Sequence, residues 1–133
     1  MAKGREQYEA RVAELQLLGK DLARRARSTC ELCEKNREGL RIVEVPPAPK
    51  SPDPGFCVLL CEECERAALA PGKAEKGEHW RCLAQSVWSE VPAVQVLAVR
   101  LLRALAETED WARETLDAVF LDEAIEKWVT EVD

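Results

Sequence analysis

Apolar positions along the first stretch of the chain recur at steps of three and four. Tyr8, Val12, Leu15, Leu18, Leu22 and Ala26 form one stripe, and this spacing predicts a single amphipathic helix over residues 5–27. Ser28 and Thr29 break the stripe. The pattern then changes period. Leu40 to Val45 is short and rich in β-branched residues, which predicts a strand. Pro46, Pro47, Pro49, Pro52, Asp53, Pro54 and Gly55 form a loop that cannot be helical, and Phe56 to Leu60 reads as the returning strand of a hairpin. A short helix is predicted from Cys61 through Ala70, stopped by Pro71 and Gly72.

Residues 73–78 read as a polar connector, and the chain is helical from His79 onward. HWRCLAQSVW is one short helix. Ser89 and Pro92 open the next, in which Val94, Leu97, Leu101, Leu102 and Leu105 give a broad apolar face. Thr108 is placed to cap a third helix and Asp122 a fourth. The tryptophans Trp80, Trp88, Trp111 and Trp128 lie among apolar residues at helical spacing, so core between the helices is the expectation, with a peptide-receiving groove as the rival.

Cysteine changes this picture. Cys30, Cys33, Cys61 and Cys64 form the pattern C-x2-C-x27-C-x2-C, and the two pairs flank the hairpin. Two residues between cysteines let a tight turn aim both sulfurs at one ion, and a hairpin brings the second turn beside the first. The result expected is a closed tetrahedral four-thiolate site holding one structural Zn2+ per chain. The interval between pairs exceeds the usual one of roughly 15–20 residues, and the proline loop accounts for the excess. Buried thiols do not explain two such pairs around one hairpin. A redox dithiol would sit between a strand and a long helix, which neither pair does. Cys57 and Cys82 are expected to pack in the core. His79, the only histidine, reads as a capping or packing residue.

A chain of 133 residues is one domain long. It divides into the N-terminal helical segment 1–28, the zinc-binding hairpin module 29–70 and the helical region 79–133, a mainly α fold with a small zinc-binding β-hairpin. With 47% hydrophobic and 33% charged residues it has the composition of a folded globular protein. The N-terminus lacks the apolar core of a secretory signal, and no apolar run reaches a membrane span, so a cytoplasmic location is expected and a membrane partner is not. The net charge of −6 is uneven: residues 1–29 carry seven Lys/Arg against four Asp/Glu, and residues 105–133 carry two against ten. An acidic total argues against non-specific nucleic-acid binding. Arg24, Arg25 and Arg27 form a local basic patch, otherwise read as a solvated helix end whose cations suit the helix dipole.

The runs STCELCEKNREGLRIVEVPP, FCVLLCEEC, HWRCLAQSVWSEVPAVQVLAVRLLRALAE and WARETLDAVFLDE resemble the bacterial PhnA-like family of zinc-ribbon proteins, named after the alkylphosphonate-utilisation operon. The similarity runs from about Arg24 to Trp128. It implies that Cys30, Cys33, Cys61 and Cys64 are the zinc ligands. Longer family members usually continue into a small β-rich C-terminal domain; this chain ends at Asp133 without it, so an activity residing there is expected to be absent. The family commonly has glycine after the first cysteine pair, where this chain has Glu34, so a slightly altered turn is expected. A weaker resemblance is to the treble-clef module of HNH nucleases. There the strand carries catalytic histidines, whereas Ile42, Val43, Glu44 and Val45 occupy it here. HNH chemistry needs a histidine base and a metal-holding partner, so its catalysis is not expected.

Three functions fit these residues. The first is a non-catalytic interaction or adaptor module whose partner is another protein. The second is a nucleic-acid-binding protein using Arg24–Arg27 and the zinc hairpin on an HNH-like scaffold. The third is an accessory protein or enzyme of phosphonate metabolism, for which His79, Glu78 and Glu44 are the candidate titratable groups, with no spacing that ties them together.

Overall fold

The computed structural model describes residues 2–36, 38–71 and 78–131. Most of the predicted connector and Gly72 lie outside the described residues, as does Val132, the last residue of the predicted final helix. Among the described residues, seven α-helices surround one two-stranded antiparallel sheet. They are α1 (Ala2–Gln16), α2 (Gly19–Ala26), β1 (Arg41–Glu44), β2 (Cys57–Leu60), α3 (Glu62–Leu69), α4 (Leu83–Ser86), α5 (Pro92–Leu105), α6 (Asp110–Ala118) and α7 (Glu123–Thr130).

The stripe predicted as one N-terminal helix is two helices. Leu17 and Leu18 donate to Glu14 and Leu15 through i→i−3 bonds, which tighten the backbone at the end of α1, and α2 restarts at Gly19. Glycine weakens a helix interior by about 1 kcal/mol relative to alanine, so the break falls where the helix is least stable. The bend throws Leu17 into solvent and lets Leu15, Leu18 and Leu22 face the sheet together. α2 ends at Arg27 in the left-handed conformation, with the Ser28 amide reaching back to the Ala23 carbonyl. This is the 6→1 closure of a Schellman cap.

The hairpin pairs Arg41 with Leu60, Ile42 with Leu59, Val43 with Val58 and Glu44 with Cys57. Side chains alternate across a strand, so Ile42, Leu59 and Cys57 share one face, and Val43, Val58 and Leu60 the other. The first face packs on Leu22 of α2, and the second joins the main core around α5. Both faces are covered, which is why all four residues of β2 are buried. Cys57 therefore packs in the core, as the alternation predicts.

α5 is the centre of the helical body. Nine of its fourteen residues are buried, including Val94, Leu97, Leu101, Leu102 and Leu105. Pro92 stands in its first turn, where a missing N–H is harmless, and the Ser89 hydroxyl accepts from the Val91 amide. α6 and α7 pack along it. Asp122 caps α7 by accepting from the Ile125 amide. Thr108, predicted to cap α6, does not: Glu109 takes the cap position, without a side-chain hydrogen bond, and Thr108 closes the turn after α5 by donating its amide to Leu105. The predicted helix 79–88 begins as a 3-10 turn, Glu78–Cys82, before the short α4.

The tryptophans divide. Trp80 is buried, and Trp111 and Trp128 are half-buried against the core. Trp88 is 55% exposed, which corrects its reading as core. Trp128 joins the two halves of the molecule: its indole N–H donates to the Pro46 carbonyl, and its ring lies 4.8 Å from that of Phe56.

Candidate metal centre

Two backbone turns deliver the sulfurs. In the first, the Glu34 amide donates to the Cys30 carbonyl and the Cys30 amide to the Lys35 carbonyl, closing a tight loop. Glu34 sits at φ 61°, left-handed backbone in which a Cβ is unfavourable and glycine is not. The turn thus imposes a real conformational requirement at this position, which Glu34 meets under strain. In the second turn, Cys61 precedes α3 in extended backbone and Cys64 lies in its first turn, with the Glu65 amide on the Cys61 carbonyl. The helix N-terminus there favours negative charge.

Register between the two turns is set by Glu31. Its amide donates to the Leu59 carbonyl and its carboxylate accepts from the Leu59 amide, both at 2.8 Å, which fastens the first turn to the edge of β2. Arg25 of α2 grips the same carboxylate through two bonds of 2.8 and 2.7 Å. Its other donors reach the Pro54 and Cys57 carbonyls. One guanidinium thus ties α2, the first cysteine turn and the hairpin together.

The four sulfurs of Cys30, Cys33, Cys61 and Cys64 all lie within 4.8 Å of one another, and all four residues are buried. Cys33 and Cys61 sulfurs are 3.9 Å apart. Thiolates at about 2.3 Å from one ion stand about 3.8 Å from each other, so this is the spacing of a four-sulfur metal site. A disulfide, near 2.05 Å, is far shorter. The protons tell the same story. A hydrogen bond between Cys30 and Cys64 lowers the Cys30 thiol and, together with burial, raises the Cys64 thiol. Burial pushes Cys33 to about 11. A buried cluster of this kind cannot hold four negative charges alone, and a cation at its centre is what would let every sulfur ionise. The donor set fits a soft or borderline ion bound by thiolates.

The other predicted site residues are dispersed. Arg25 is turned inward on Glu31, while Arg24 and Arg27 are exposed, so the three arginines do not present one surface. Glu44 is held by Arg11 through bonds of 2.9 and 2.6 Å, and Arg11 also reaches the Pro49 and Lys50 carbonyls. Glu78 is exposed. Cys82 is half-buried, and burial, then the nearby Cys33 and Cys30 sulfurs, pushes its thiol up to about 12. His79 packs against Trp80, as expected of it, and in addition reaches the cysteine cluster. Its Nε2 lies 3.3 Å from the Cys64 sulfur, its Nδ1 lies 3.6 Å from a Glu63 carboxylate oxygen, and its ring stands edge-on to Trp80 at 4.5 Å. No spacing rule connects a histidine fifteen residues beyond a cysteine to that sulfur, so the sequence carried no signal for it.

Comparison with protein-family models, with curated proteins and with solved structures returned no match. The site therefore stands on its own geometry.

Proposed function

We infer that the chain is a structural zinc protein of the treble-clef or zinc-ribbon type, in which one Zn2+ held by Cys30, Cys33, Cys61 and Cys64 fixes the hairpin against the helical body. The observation that carries this reading is the convergence of four buried sulfurs, delivered by two turns on either side of one hairpin. Zinc is the ion of choice because four thiolates suit it and because a closed site has no use for redox change or an open position. The resemblance to PhnA-like proteins points the same way, with the same four ligands.

The metal's role in this reading is structural. Glu44, a candidate base, is neutralised by Arg11, and His79 is committed to the Cys64 sulfur. The protein acts as a non-catalytic interaction module in the cytoplasm, with another protein as its partner. No described helix is long and apolar enough to cross a membrane. An open groove of about 760 Å³ between the N-terminal helices and the sheet, lined by Tyr8, Val12, Leu15, Leu40, Ile42 and Leu69, is consistent with an interaction role. It contains none of the tryptophans. Metal analysis tests the reading: one zinc per chain is expected in the purified protein, and Cys64→Ser should lose most of it, because ligand loss and metal loss are coupled in such sites. Full zinc content in Cys64→Ser would refute the assignment.

A further inference from the structure

The Cys64 sulfur has a neighbour outside the cluster. His79 comes from the 3-10 turn before α4, and its Nε2 stands 3.3 Å from that sulfur. It is not a fifth member of the group, since the four sulfurs lie mutually within 4.8 Å and His79 does not belong to that set. Its side chain is only 11% exposed, so the contact is shielded from water. Edge-on packing against Trp80 holds the ring, and a Glu63 carboxylate oxygen stands 3.6 Å from its far nitrogen. A sulfur bound to a metal carries no proton, so in the loaded protein the hydrogen of this bond has to come from the ring. The Nε2–H is present both in one neutral tautomer and in the imidazolium, so the direction of donation does not depend on the charge of the ring.

We propose that His79 is a positioning residue of the metal centre, donating its Nε2–H to the Cys64 thiolate so that this sulfur keeps the ion and resists release. The inference rests on the zinc reading above. Four thiolates give a divalent ion a net charge of −2, and a buried site of that charge needs donors to its sulfurs; partners of this kind typically alter metal affinity by about 10- to 100-fold. Cys64 lies at the end of the ligand set that α3 presents, and His79 is the side-chain donor the structure places on it.

The test uses the full chain loaded with zinc, and with cobalt as a spectroscopic stand-in. His79→Phe keeps the ring and its edge contact with Trp80 but removes the donor. His79→Gln returns an N–H at a similar reach. Stoichiometry is measured first. His79→Phe should still bind one ion, yet give it up to a competing chelator at least about ten times faster than the wild type. Its cobalt form should show the sulfur-to-metal charge-transfer band shifted to lower energy, because an unbonded thiolate is the better electron donor. His79→Gln should recover both properties in part. A purely packing role for His79 would leave the charge-transfer energy unchanged. Should His79→Phe not fold, the wild type decides alone: with the magnetically active cadmium isotope bound, the ring Nε2–H proton should show scalar coupling to the metal through the sulfur. Equal release rates and equal spectra in all three proteins, or a ring proton with no such coupling, would overturn the role of His79 while leaving the metal site standing. A wild-type protein that takes up no metal would overturn both.

Discussion

Arg25 offers the sharpest test of how the cysteine turns are held in register. Replacing it with alanine removes two charge-assisted bonds to Glu31 and the donors on the Pro54 and Cys57 carbonyls. The two carbonyls can find other donors; the carboxylate is the problem. The Glu31 side chain is 4% exposed and would keep only the Leu59 amide. Breaking a buried ion pair from one side destabilises by about 3–5 kcal/mol. The Arg25 side chain is 26% exposed, so water reaches part of the vacated space, and we expect a loss of about 3 kcal/mol. Arg24→Ala, one residue away and exposed, should stay within about 0.5 kcal/mol. The assay is urea unfolding followed by tryptophan fluorescence at a fixed free zinc concentration, since a metal that binds only the folded chain adds to its stability. The double variant Arg25→Met with Glu31→Gln keeps an acceptor for the Leu59 amide and strands no charge, so it should recover a large part of the loss. If Arg25→Ala is no less stable than Arg24→Ala, or if the double variant is worse than the single, the clamp does not exist.

Two further outcomes follow from single residues. Glu34→Gly should stabilise the zinc-loaded protein by about 1 kcal/mol, because it relieves a left-handed residue in the first cysteine turn; unchanged or lower stability in thermal unfolding would contradict the strain. Cys57 is fully buried, and burial lifts its thiol from the ordinary 9 to about 11. The fold then favours the neutral form, so this contribution is complete below pH 9 and is lost as pH rises toward 11. The fall in stability across that window should be shallower in Cys57→Ala, and equal slopes would show that Cys57 does not titrate with unfolding.

Much of this molecule was legible because its signals are local. The two Cys-x2-Cys turns, the β-branched run from Leu40, the proline loop and the cap at Asp122 depend on residues close in sequence, and the structure has all of them. The apolar face of α5 was equally plain. What escaped depends on packing. The stripe from Tyr8 to Ala26 is continuous in composition, and only the sheet it must cover shows why the helix bends at Leu17 and Leu18. Trp88 lies at the spacing of a core residue but on the outer side of its turn. Arg25 looks like its exposed neighbours until α2 is laid beside Glu31. His79 stands beside Cys64 in the 3-10 turn before α4, a placement that no periodicity encodes.

The proposed function rests on one zinc ion surrounded by four cysteine sulfurs. X-ray absorption at the zinc edge of the purified protein reads this directly. A single shell of four sulfur neighbours at about 2.3 Å is the result expected. A shell containing nitrogen or oxygen ligands, or fewer than four sulfurs, would contradict it.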